Sequence, residues 1–210
     1  GKSIINIGCG SGVDAQWLLD NGAASVTGID ISSGLVDIGK KEFPNLDLHV
    51  MNMEHLEFPD NHFDLACSSL AIHYLPTMTP SLKETHRVLK PGSKYVVSFM
   101  HPIDSAMEYT GDSALLGHQR TSKVKEPVVY GNYSVTEENG TRAIDGYLGD
   151  MDIRVFHRTF PVIVQQIKDS GFELVEFVEP IPTQEMKSLH PHRYEQLLRI
   201  PSFLICVLRK

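Results

Sequence analysis

The sequence predicts an α/β fold: a doubly wound, mostly parallel sheet with helices on both faces. Three observations predict it. Short apolar, β-branched runs alternate with helical stretches over the first hundred residues, and that rhythm marks βαβ units. The first run ends in a glycine cluster, Gly8-Cys9-Gly10-Ser11-Gly12, that leads directly into a helical pattern. The second run ends on an acid, Asp30, one helix further along.

Residues 3–7, Ser-Ile-Ile-Asn-Ile, read as a buried parallel strand. Residues 14–21 carry Ala15, Leu18 and Leu19 at helical spacing and stop at Asn21-Gly22. Residues 25–30 form the second strand. Residues 33–43 form a helix, with Ser32 or Ser33 as N-cap and Pro44 just past its end. Residues 46–50, 63–68 and 95–99 supply strands three to five. Between the last two, residues 79–89 are helical and end in the turn signal Lys90-Pro91-Gly92. From 101 to 154 the rhythm breaks: glycines, histidines, tyrosines and short runs such as Val128-Val129-Tyr130 suggest a β-rich insertion after the fifth strand. Residues 160–170 are helical up to a Gly171 stop. Residues 172–178 and 203–208 add two strands, joined by a Pro-rich loop and a helical stretch at 192–198.

A chain of 210 residues suits a single domain of this class. We divide it into a cofactor-binding half (1–100), an insertion that recognises substrate (101–158), and a C-terminal helix with strands (159–210). The formal charge of −7, with scattered Lys and Arg, speaks against a nucleic-acid partner. No long apolar run or signal peptide points to a membrane. Cys9, Cys67 and Cys206 show no metal-type spacing, and free thiols within apolar runs suit the reducing cytoplasm. The sequence enters a strand at Ser3, so we expect an N-terminal lid segment in the natural protein that this sequence lacks. No metal site is expected, because His190-Pro191-His192 has no Cys or carboxylate cluster beside it.

A strand, a glycine turn and a helix set backbone N–H groups and a positive helix end at the mouth of a sheet. Asp30 at the next strand end can accept from both hydroxyls of a ribose. Two cofactor classes use this geometry. Dinucleotide enzymes need G-x-G-x-x-G so that a pyrophosphate can lie on the helix end. Here the spacing is G-x-G-x-G, followed by Val13 and Asp14. An acid in the first helical turn repels a pyrophosphate but tolerates a cationic amine or sulfonium. That favours S-adenosylmethionine over NAD.

Residues 5–12, Ile-Asn-Ile-Gly-Cys-Gly-Ser-Gly, resemble the first motif of class I S-adenosylmethionine-dependent methyltransferases. Residues 27–32, 51–64, 68–75 and 84–93 resemble, in order, the further motifs of the small-molecule, ubiquinone/menaquinone-biosynthesis-like branch (methyltransferase type 11). The resemblance implies a Rossmann-like sheet of seven strands with an antiparallel last strand. It implies S-adenosyl-L-methionine as cofactor and S-adenosyl-L-homocysteine as product. Gly8, Cys9, Gly10 and Gly12 would line the methionine moiety, and Asp30 would hold the ribose. Ile31 and Met53 would cover the two sides of the adenine. Asn52 stands where the family more often has Asp, and its amide oxygen can still accept from the adenine amino group. The Ser68 carbonyl would receive the methionine amino group, with Ser69 assisting.

Methyl transfer from a sulfonium needs proximity, orientation and a dry pocket. A base is needed only where the acceptor must lose a proton. His73 after the fourth strand, His101 after the fifth, and His157 in the Phe-His-Arg-Thr run at the end of the insertion are the catalytic candidates, His73 first. Arg158 could pair with an acidic substrate or form a structural ion pair. Tyr109, Tyr130, Tyr133 and Tyr147 could line an acceptor pocket. The expected activity is methyl transfer to O, N or C of a small molecule. An NAD(P)-type oxidoreductase and a non-catalytic S-adenosylmethionine-binding protein are the alternatives. Oligomeric state has no signature.

Overall fold

The computed structural model describes residues 1–109, 129–137, 140–148 and 151–210. Its main sheet has seven strands: β1 (Ser3–Ile7), β2 (Ser25–Asp30), β3 (Asp47–Val50), β4 (Phe63–Ser69), β5 (Leu89–Met100), β10 (Glu173–Val178) and β11 (Phe203–Arg209). They lie in the order β10-β11-β5-β4-β1-β2-β3. The five strands from β3 to β5 pair in parallel; β11 runs antiparallel to both β5 and β10. This is the expected seven-stranded, doubly wound sheet with an antiparallel last strand. The strand order reverses at β1, which pairs β2 on one side and β4 on the other, and such a reversal opens a crevice at the strand carboxyl ends.

Burial on both faces explains why β1 is almost continuously apolar. Ile5 and Ile7 join one core cluster with Phe63, Leu82, Ile163 and Leu204, whereas Ile4 joins the opposite cluster with Ala15, Val26, Val36 and Leu48. Helices α1 (Val13–Asp20) and α2 (Ser33–Glu42) supply the second cluster, and α3 (Thr79–Val88) and α5 (Phe160–Asp169) the first. Truncating a fully buried Ile such as Ile5 or Ile163 to Ala costs about 2–5 kcal/mol. Ser32 caps α2, its Oγ accepting from the Leu35 N–H at 3.3 Å, so the expected cap is present.

Two local expectations change. Residues 90–92 do not separate α3 from a later strand; the chain enters β5 at Leu89. The ladder jumps from Phe63↔Leu89 to Leu65↔Lys94, so the Pro91-Gly92 signal becomes a bulge within β5, with Gly92 at φ 78°. The Pro-rich loop contains a short helix, α6 (Gln184–Leu189), capped by the Thr183 Oγ1, ahead of α7 (Pro191–Arg199). α6 buries none of its residues, so it has no apolar periodicity to read. The insertion holds a one-turn helix α4 (Pro102–Ser105), a pair β6 (Met107–Tyr109) and β7 (Val129–Gly131), and a hairpin of β8 (Thr141–Leu148) and β9 (Met151–Arg158). Val128 of the expected β-type run lies outside the described residues, as do residues 110–127 of the insertion.

Candidate active site

The glycine turn takes its shape from three left-handed residues: Gly8 (φ 69°), Gly10 (φ 56°) and Gly12 (φ 84°). A Cβ on Gly8 would lie 2.2 Å from the Ala71 Cβ and 3.5 Å from the Met53 Cε. The end of β1 therefore presses directly on the segments that follow β3 and β4. Gly12 is the N-cap of α1, which carries Asp14 in its first turn. Between the glycines, the Cys9 N–H donates to the Ile29 carbonyl at 2.9 Å, stitching the turn to β2. Burial, and then the Asp30 charge, push the Cys9 thiol up to about 12. It is a packing residue, not a thiolate.

Asp30 closes β2 and spans the crevice. Its Oδ2 accepts from the Gly10 N–H at 2.8 Å and its Oδ1 from the Ser32 N–H at 2.8 Å. A carboxylate has about four lone-pair directions, so each oxygen keeps one. Ile31, next along, is 73% exposed. Across from it the backbone Met51 N–H donates to the Asp30 carbonyl at 2.9 Å. That bond brings in Asn52, whose Oδ1 accepts from the Glu54 N–H at 2.9 Å, and the half-buried Met53.

A clamp not anticipated as part of the site anchors this loop. From α3, Arg87 donates to the Leu56 and Phe58 carbonyls, each at 2.7 Å, and to the carboxylates of Glu84 and Asp60. Glu84 in turn accepts from the Leu56 N–H at 2.8 Å. The i, i+3 spacing of Glu84 and Arg87 is visible in the sequence; the carbonyls they meet are not.

On the other side of the crevice, β4 ends with Ser68, 3% exposed, and the exposed Ser69. Leu70 then adopts φ 52°, a left-handed backbone that costs a residue with a side chain about 1–2 kcal/mol. Its N–H donates to the Ser98 carbonyl at 3.1 Å and to the Ser98 Oγ at 3.2 Å, which holds the strained bend. Nothing in the sequence marks Leu70; strain of this kind collects at functional sites.

A single 3₁₀ turn, Ile72–Tyr74, follows and places His73, 5% exposed. Among the described residues, the His73 Nδ1 has no hydrogen-bond partner. Burial, and secondarily the charge of Arg158, lower its pKa to about 4, so the ring is neutral at pH 7. Arg158, at the end of β9, is 4% exposed. It donates through Nη1 to the Phe156 carbonyl at 3.0 Å and through Nη2 to the Leu75 carbonyl, while its Nε has no partner among the described residues. Burial lowers the guanidinium to about 10.

The other two candidate histidines differ. The His157 Nε2 donates to the Tyr133 carbonyl at 3.0 Å and its Nδ1 pairs with the Ser105 Oγ at 2.8 Å. His101 accepts from the Ile103 N–H through Nδ1 at 3.1 Å and meets the Glu179 carboxylate through Nε2 at 3.0 Å. Both rings are fully engaged within the protein. Tyr133 accepts from the Phe160 N–H at 2.8 Å through its hydroxyl, at the start of α5. The side chains of Tyr109, Tyr130 and Tyr147 lie outside the described residues. An open concavity bounded by Asp145, Gly146, Asp152, Ile153 and Arg154 belongs to the β8–β9 hairpin and contains none of the site residues above. Among the described residues, no cluster of three His, Cys, Asp or Glu side chains is placed to hold a metal. Nor is any helix there long and apolar enough to cross a membrane.

A family model described as a methyltransferase domain matches residues 5–97. An uncharacterized protein of Haemophilus influenzae is 26% identical over 189 residues, covering 86% of this chain and 71% of that protein. A demethylmenaquinone methyltransferase of Chlorobaculum parvum is 30% identical over 106 residues, covering 50% of this chain and 44% of its own length. Among solved structures, an S-adenosylmethionine-dependent methyltransferase from Mesorhizobium loti superposes with a TM-score of 0.79 at 25% identity, covering all of this chain and 91% of that one.

Proposed function

This chain belongs to the class I S-adenosylmethionine-dependent methyltransferases, and from that premise we propose that it methylates an oxygen, nitrogen or carbon atom of a small molecule. The observation that carries the reading is the Asp30 carboxylate tied to the Gly10 amide at the strand reversal, the junction where a nucleoside sugar and the chain beyond it would meet. The residues present fit the cofactor. Backbone at Gly8, Cys9, Gly10 and Gly12 would follow the methionine part, and Asp30 would take the ribose hydroxyls. Ile31 and Met53 would sandwich the adenine, Asn52 would accept from its amino group, and the Ser68 carbonyl with Ser69 would receive the methionine amine. When bound, the cofactor supplies a methyl group on a sulfonium.

The chain's own part is to align an acceptor with that methyl and keep water out. Of the three histidines we place His73 beside the acceptor, because it alone keeps a free ring nitrogen. His157 and His101 act indirectly, by tying β9 and the turn after β5 to their neighbours. Acceptor choice is assigned to residues 101–158. Net charge supports a small-molecule acceptor over nucleic acid, and three free cysteines support a cytoplasmic setting.

Isothermal titration with S-adenosyl-L-homocysteine tests the reading. Wild type is expected to bind, and Asp30→Ala to lose at least about tenfold in affinity, since it removes the ribose acceptor and strands the Gly10 and Ser32 amides. Failure of wild type to bind, together with binding of a reduced nicotinamide, would return the dinucleotide reading.

A further inference from the structure

Among the described residues, cations other than Arg158 are at least partly exposed, and several also meet a carboxylate. Arg87 meets Glu84 and Asp60, Arg154 meets Asp145, and Lys90 meets Asp64. Arg158 is the departure. It is 4% exposed, it bonds backbone carbonyls only, and no carboxylate reaches it among the described residues. A guanidinium is a donor with no acceptor capacity, so carbonyls satisfy its hydrogens without neutralising its charge. Burying such a charge without a counter-ion is strongly unfavourable. The imidazole of His73, also buried, stands within electrostatic reach and leaves Nδ1 unused.

The location gives this pair a purpose. His73 lies two residues past Ala71, the residue that presses on Gly8. Arg158 reaches the same segment through the Leu75 carbonyl. Two orphan polar atoms, Arg158 Nε and His73 Nδ1, thus come from distant parts of the chain to the segment beside the glycine turn. We infer that Arg158 and His73 form an anion-recognising subsite for the methyl acceptor, which therefore carries an anionic oxygen of the carboxylate, phenolate or enolate class. This rests on the methyltransferase reading above.

The chemistry favours an anion over a neutral polar group. A carbonyl or alcohol would satisfy the Arg158 Nε hydrogen but leave the charge uncompensated. An anionic oxygen takes that hydrogen in a charge-assisted bond and a second one from the Nδ1–H tautomer of His73. Bringing negative charge to the pair also removes the repulsion between Arg158 and a protonated His73. The ring is then better able to hold a proton once the acceptor is in place.

The test uses the full chain saturated with S-adenosyl-L-homocysteine. Sodium benzoate and the neutral isostere benzamide are titrated at fixed ionic strength, with calorimetry and thermal melting as readouts. Benzoate is expected to bind at least tenfold more tightly than benzamide. Arg158→Met should lose at least tenfold in benzoate affinity while S-adenosyl-L-homocysteine affinity stays within about twofold. His73→Asn should lose a few-fold. Arg158→Lys keeps the charge without the Nε donor and is expected to fall between wild type and Met; it decides the matter should the Met variant fail to fold. Equal binding of benzoate and benzamide, absence of benzoate binding, or unchanged benzoate affinity in the position-158 variants overturns the subsite and leaves Arg158 a strut between β9 and the 3₁₀ turn. Absence of S-adenosyl-L-homocysteine binding overturns the methyltransferase reading instead, and the benzoate comparison is then read on the free chain.

Discussion

The two halves of the crevice are built on opposite principles. On the β1–β2 side, where we place the cofactor, the shape is set locally: three left-handed glycines, and the Asp30 carboxylate whose two oxygens already accept from Gly10 and Ser32. On the β4–β9 side, where we place the acceptor, the buried His73 Nδ1 and Arg158 Nε are left without partners among the described residues. The first geometry follows from one strand–turn–helix unit, whereas the second is drawn from residues 73 and 158, far apart in the chain. The boundary between the halves is the contact of Gly8 with Ala71.

That contrast can be broken by experiment. The largest expected effect is at the boundary. Gly8→Ala imposes the left-handed penalty of about 1–2 kcal/mol and also a Cβ 2.2 Å from that of Ala71. The two segments at the mouth must then separate, so affinity for S-adenosyl-L-homocysteine should fall more than about a hundredfold, with a lower melting temperature. A variant that keeps both would remove Gly8 from the site.

A smaller effect sharpens the acceptor half. The His73 pKa, about 4 in the folded chain, sits below its ordinary value of 6.5 because the ring is buried. The unfolded chain takes up this proton first as the solution is acidified. The stabilisation is therefore complete above pH 6.5 and is lost progressively as pH falls toward 4, by roughly 3 kcal/mol in total. His157 and His86 are also lowered by burial and act in the same direction. The difference between wild type and His73→Asn isolates the His73 share. Urea titrations at pH 7, 6 and 5 should show the two unfolding free energies converging as pH falls; parallel lines would mean that His73 titrates as it does in solvent.

The smallest effect belongs to the cofactor half. Asn52→Asp keeps the oxygen that accepts from the Glu54 N–H, so stability should stay within about 0.5 kcal/mol. Affinity for S-adenosyl-L-homocysteine should rise by no more than about fivefold, read by the same calorimetry.

How much was legible follows the same division. The strands, the glycine turn, Asp30 and the Ser32 cap could be read because each depends on neighbours within a few residues. The bulge at 90–93 could not, since a Pro-Gly pair looks alike in a loop and in a kinked strand; only pairing with β4 and with Lys210 distinguishes them. α6 left no periodicity because it buries nothing. The sequence ranks His73 first among the three candidate histidines by its place after the fourth strand, but it does not show what each ring meets. Ser105, Tyr133, Glu179 and the Ile103 amide decide which ring nitrogens are taken, and, the neighbouring Ile103 apart, no local spacing encodes those meetings.

By itself, then, the sequence determined the doubly wound sheet, the cofactor-side turn and the acid that closes it. Those are consequences of backbone freedom at glycine and of alternation between strand and helix, both local in the chain. Tertiary structure alone decided that Gly8 bears on Ala71, that Arg87 clamps the loop after β3, and that Arg158 is buried near His73 with no counter-ion among the described residues. The reason is physical: the worth of a charge or a ring nitrogen depends on what surrounds it in space, and burial is a property of the folded whole.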